Sequence, residues 1–123
     1  MTYPILKESL ATIGKALSLT ISDPTNGNEL VVVLSEMMQL QALSADTVAR
    51  SESFLNREIA KVIESDKYKD YPASDRKHLI QRDCAEYVEV YNKAQAYNKE
   101  CHYKIESLRT LISNAKELLR QNI

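Results

Sequence analysis

Three short constellations in the chain could do chemistry, and each carries a geometric requirement. Asp75-Arg-Lys-His78 sets a carboxylate and an imidazole one helical turn apart, and Glu86-Tyr-Val-Glu89 sets two carboxylates at the same spacing. Such pairs can move a proton or hold one side of a metal ion. A di-iron site in a helical bundle needs two Glu-x-x-His motifs and two further carboxylates, and the chain has no Glu-x-x-His. Cys101 and His102 are adjacent, with Cys84 and His78 elsewhere. A zinc site needs three or four converging ligands, whereas neighbouring residues on a helix point about 100° apart. Packed thiols and surface imidazoles are the simpler reading. The expectation is a non-enzymatic protein with no catalytic residue, no metal and no cofactor.

A fourth grouping suits binding rather than catalysis. Between Lys67 and Arg82 the cations Lys67, Lys69, Arg76, Lys77 and Arg82 face two carboxylates, Asp70 and Asp75, with Tyr68, Tyr71 and His78 interleaved. This local excess of positive charge sits in a chain whose net charge is −1. Cations beside aromatic rings can hold phosphates and stack bases, and a helix N-terminus nearby would add an attraction for anions. The plainer reading is a solvated turn.

These residues must be placed by helices. Ile80, Cys84, Tyr87, Tyr91, Ala94, Asn98, Cys101, Ile105, Leu108, Ile112, Ala115 and Leu119 recur in an unbroken 4-3-4-3 spacing with no Gly or Pro between them. That is the a/d pattern of a long helix packed lengthwise on another. Leu6, Leu10, Ile13 and Leu17 repeat the spacing near the N-terminus, and Leu30, Leu34, Met37, Leu55, Ile59 and Val62 mark a second long helix. Asp23-Pro24 and Asn26-Gly27 are turn signals. Asn28 and Ser74 are plausible N-caps, and Pro72 disfavours helix at Tyr71. The predicted helices span residues 4–19, 28–66 and 74–121, with a hairpin tip at 67–73. A rival reading makes residues 17–34 a β-hairpin around Asn26-Gly27, because Leu17, Leu19 and Ile21 alternate with polar residues and Val31-Val32-Val33 is β-branched.

The expected architecture is a single all-α domain of 123 residues. A short N-terminal helix packs on the base of a long antiparallel, coiled-coil-like helical hairpin. The base is aliphatic, Leu30–Leu43 against Ile105–Leu119. A first helix of about 24 Å cannot cover a hairpin of about 60 Å. The distal half is therefore expected to be two helices thick, leaving Phe54, Ile63, Tyr87 and Tyr91 as an open self-association face, with Asn98 fixing register.

With 44% hydrophobic residues, two glycines and three prolines, the composition suits a helical globular chain. The balanced charge argues against a general nucleic-acid or membrane binder. No apolar run approaches membrane length, and Met1-Thr-Tyr-Pro-Ile-Leu-Lys-Glu lacks the basic start and apolar run of a secretion signal. Cys84 and Cys101 would lie about 25 Å apart on one helix, beyond disulfide reach, so a reducing, cytoplasmic setting is expected. The functional expectation is a helical interaction protein of adaptor or inhibitor type. It would form a homo-oligomer and bind a protein partner through the tip or the tyrosine-bearing face. The alternative is an oligomeric binder of a phosphorylated ligand, a nucleotide or nucleic acid, at the basic-aromatic tip.

Overall fold

A computed structural model describes residues 1–18 and 23–121. Four helices follow in order: α1 Tyr3–Leu17, α2 Gly27–Glu64, α3 Ala73–Asp83 and α4 Ala85–Gln121. The architecture is all-α, an antiparallel hairpin of α2 and α4 with a short N-terminal helix against it. Pro4 lies in the first turn of α1, where its missing N–H costs nothing. Asn26 caps α2, its side-chain oxygen accepting from Glu29 N–H at 3.2 Å. The cap therefore lies two residues before the expected Asn28. Gly27 to Leu34 is helical, which removes the second strand of the β-hairpin alternative, while residues 19–22 lie outside the described residues. Among the described residues no helix is long and apolar enough to cross a membrane.

The third predicted helix is two. α3 ends at Asp83, Cys84 takes φ −101° and ψ 15°, and α4 resumes at Ala85. Backbone bonding continues through the bend, since Cys84 N–H reaches Ile80 O at 3.0 Å and Val88 N–H reaches Cys84 O at 3.0 Å. α3 begins at Ala73 behind Pro72 rather than at Ser74, and no side chain caps it. Between α2 and α3, Asp66 turns the chain with φ 56°. Few residues other than glycine accept this left-handed conformation, and a short polar side chain is among the least penalised.

The core follows the 4-3 seam of α4 as far as Ala115, whereas Leu119, the last expected seam position, is 66% exposed. Ile13, Leu30, Met37, Cys101, Ile105, Leu108 and Ala115 form one buried cluster, with Leu17, Leu34, Leu43, Tyr97 and Ile112 packed against it. Higher on α2 the seam residues are Ser44, Thr47 and Ser51, all buried. Thr47 and Ser51 return their hydroxyls to the carbonyls of Leu43 and Val48 at 2.7 and 2.8 Å, which removes the cost of burying them.

α1 seats its C-terminal half on the base cluster through Ile13 and Leu17. Its N-terminal half reaches further than its length alone suggested. Lys104 Nζ donates to Leu17 O at 3.1 Å, Tyr97 lies against Gly14, and Tyr3 packs on Phe54 and Tyr87 with ring centroids 5.5 and 4.8 Å away. The helix thus starts over the tyrosines and ends beside Lys104 rather than at the foot of the hairpin. Leu6, Leu10 and Ile13, all buried, supply its grip at about 2 kcal/mol each. This docking matters because a 15-residue helix is marginal alone in water.

Two consequences can be measured. A Cβ at Gly14 would meet Tyr97 Oη at 2.7 Å and its ring carbons at 3.0 and 3.1 Å. Gly14→Ala is therefore expected to destabilise the protein beside Tyr97, but to stabilise it by about 0.5–1 kcal/mol in a Tyr97→Ala background, where only helix propensity remains. Denaturant titration of the four-member cycle checks this. Secondly, Tyr3 Oη donates to Glu86 Oε1 at 3.2 Å, and burial together with the Glu86 carboxylate pushes the phenol up from 10.0 to about 12. A raised folded-state pKa gives stability that is complete below pH 10 and is lost between pH 10 and 12. The stability gap between wild type and Tyr3→Phe should close across that window.

Candidate functional site

The hairpin tip brings the sequence's cations together but divides them into two groups. Tyr68 is only 7% exposed. Its hydroxyl donates to Asp83 Oδ2 at 2.5 Å and accepts from Arg82 Nη2 at 3.1 Å. Lys67 Nζ donates to the same Asp83 oxygen at 3.3 Å and stands 5.1 Å over the Tyr68 ring. The Tyr68 hydroxyl, followed by Lys67 and Arg82, holds the Asp83 carboxyl below its usual range. Lys67 and Arg82 are pushed up in turn, first by Tyr68 and then by Asp83. Asp83 is the last residue of α3, so the bend at Cys84 coincides with the point where α3 is tied back to the end of α2.

The second group is not tied. Lys69, Arg76 and Lys77 line a cleft of about 500 Å³ together with Ile59, Val62, Ile63, Ile80 and Tyr68. Among the described residues, the side chains of these three cations make no hydrogen bond or ion pair. Ile59, Val62 and Ile63 stand at i, i+3 and i+4 on α2, so they form one apolar ridge. Asp66 is the one carboxylate in the lining. Tyr71 is half exposed and packs edge-on against Tyr68 at 5.7 Å. His78 is exposed and lies outside the cleft lining.

The face expected to be open in the middle of the hairpin is partly closed. Phe54 and Tyr87 are half-buried beneath Tyr3, because α1 climbs higher than the base. Tyr91 is half-buried and accepts from Gln95 at 3.0 Å. Ile63 belongs to the tip cleft instead. Asn98 is half-buried, its Oδ1 has no hydrogen-bond partner, and it shares a groove with Val48, Gln95, Lys99 and His102. By helical geometry this groove lies across the α2–α4 seam from α1. The same side of α2 exposes Val31, Ser35, Met38, Ala42, Ala45 and Ala49, again at 4-3 spacing. Only the inner seam is needed to fold the hairpin, so a second, outer seam does not stand out in the sequence.

The catalytic-looking residues do not converge. Glu86 is taken by Tyr3 and Lys7, and Gln41 Nε2 lies 2.9 Å from the His102 ring nitrogens. Cys84 and Cys101 are free thiols, 2% and 0% exposed, and burial pushes both pKa values up. That is the reverse of an activated thiolate. The Ser44 hydroxyl faces Cys101 and pulls its pKa partly back, yet has no well-aligned hydrogen-bond partner. Among the described residues, no three His, Cys, Asp or Glu side chains gather closely enough to hold a metal ion.

The Tyr68–Asp83 bond should act as the latch of the tip. Tyr68→Phe and Asp83→Asn are each expected to lower the melting temperature, and the double variant should fall little further than Asp83→Asn alone, since the Tyr68–Asp83 bond is lost in both. Additive losses in a thermal double-mutant cycle would show that the two groups act separately.

No family model, curated protein or solved structure matches the chain.

Proposed function

We propose that the chain is a non-enzymatic helical interaction protein that recognises another macromolecule through the cleft at the hairpin tip. One observation carries this reading: an aliphatic floor of Ile59, Val62, Ile63 and Ile80 is rimmed by Lys69, Arg76 and Lys77, whose side chains form no hydrogen bond or ion pair among the described residues. Exposed apolar surface next to uncompensated charge is typical of a contact surface. The buried, high-pKa thiols and the occupied Glu86 and His102 support a binding role over a catalytic one. The free thiols suit a reducing, cytoplasmic compartment.

Self-association belongs to the same reading. The outer 4-3 seam from Val31 to Ala49 and the unpartnered Asn98 Oδ1 lie on the side α1 leaves uncovered. A second copy would bury the seam, and small residues such as Ala42, Ala45 and Ala49 would let two helices approach closely. The phosphorylated-ligand alternative draws less support. Tyr68 is buried against Asp83, so it offers no face for base stacking, and Lys67 and Arg82 are already paired.

Capture from the source cell with wild type and with Arg76→Glu/Lys77→Glu tests the tip. Both residues are exposed, so the fold should persist. A partner retained by wild type and lost by the variant is the expected result, and identical captured sets would overturn the reading. Light scattering tests self-association. The expected mass is a multiple of 14.0 kDa that Ala45→Glu reduces to the single chain, whereas a monomeric wild type would refute it.

A further inference from the structure

We infer that the tip cleft receives an acidic amphipathic helix of a partner protein. The inference rests on the tip-recognition reading above and adds the chemistry of the occupant. The floor is the first constraint. Ile59, Val62 and Ile63 form a ridge on α2, and Ile80 faces it from α3. The open edge of this floor stays wet in the free chain, with Ile63 58% exposed and the neighbouring Tyr71 50% exposed. An occupant that fits must cover the edge as well as fill the cleft. An acyl chain of a few ångströms' width would leave both residues in water. A helix about 10 Å across, apolar on one face, covers them with residues at i, i+3, i+4 and i+7.

Charge is the second constraint. The rim carries Lys69, Arg76 and Lys77 against the single carboxylate of Asp66. Lys67 and Arg82, a few residues away, each have Asp83. Within the tip, the cations with no ion pair among the described residues are thus those bordering the cleft, so glutamates or aspartates flanking the occupant's apolar face would meet them. The first turn of α3 has no side-chain cap, and its N–H groups favour the same sign of charge. A nucleic acid satisfies the rim but not the floor, because its phosphates would be set against four aliphatic side chains, and of the two tip tyrosines only Tyr71 has an exposed ring. An acidic helix satisfies both.

The test uses the full chain and a fluorescent synthetic helix with leucines at i, i+3, i+4 and i+7 and glutamates on both flanks. Anisotropy is expected to show saturable binding that weakens as salt rises. Arg76→Glu/Lys77→Glu should weaken it at least about tenfold, as reversal of rim charges does at electrostatically complementary interfaces. Ile63→Asp, at an exposed position, should abolish it while circular dichroism stays unchanged. A matched peptide with lysines replacing the glutamates should not bind. Equal binding of the two peptides, or displacement of the acidic peptide by oleate or by a single-stranded oligonucleotide at lower concentration than by its unlabelled self, would overturn the helix assignment. Failure of the peptide to bind, alongside a captured partner that still depends on Arg76 and Lys77, would remove the acidic helix and leave tip recognition standing. Loss of both would remove the tip-recognition reading as well.

Discussion

The seat of α1 on the α2–α4 hairpin is the constraint on which the rest of the molecule depends. A helix of 15 residues cannot cover partners of 38 and 37 residues, so its position decides which surfaces become core and which stay available. Three features set that position. Ile13 and Leu17 join the base cluster, Gly14 removes the side chain that would collide with Tyr97, and Tyr3 closes over Phe54 and Tyr87. The result is a three-helix middle. The tip, and the whole side away from α1, are left without this third helix.

The tip solves its own stability problem without α1. α3 has no buried residue of its own, so apolar packing alone would hold it weakly. Asp83 compensates by collecting the Tyr68 hydroxyl, Lys67 and Arg82 at one carboxylate. This latch fixes α3 against the end of α2 and thereby shapes the cleft between them. It also divides the charges. Cations bound to Asp83 serve the fold, and those on the cleft rim are exposed and make no ion pair among the described residues. Structure and the proposed recognition at the tip therefore draw on different members of one basic sequence run.

Much of this was legible in the residues. The 4-3 spacing identifies Ala94, Cys101, Ile105, Leu108 and Ala115 as the inward positions of α4, and all five are buried, because a period near 3.5 leaves one stripe to face a partner helix. The short first helix, the hairpin and the basic tip follow from the same pattern and from Pro72. The parts that were hidden depend on contacts between distant residues. Nothing in local spacing places Tyr3 over Tyr87, 84 positions away. Nothing in a run of charges says which lysine will find Asp83, a residue just outside the Lys67–Arg82 grouping. The bend at Cys84 was masked because the seam continues through it without a Gly or Pro. Val31 reads in the sequence as part of a β-branched run, and the alanines of α2 carry no signal of their own once the inner seam accounts for a folded hairpin.

The division between covered and available surface depends on α1 lying across the tyrosines rather than only at the aliphatic foot. Aromatic nuclear Overhauser contacts from the Tyr3 ring measure this directly, because its neighbours differ completely between the two placements. Cross-peaks to the Phe54 and Tyr87 rings are expected from centroid separations of 5.5 and 4.8 Å. Cross-peaks from Tyr3 to Ile112 or Leu119 instead, with Phe54 and Tyr87 free of it, would contradict the docking of α1 and with it the division between covered and available surface.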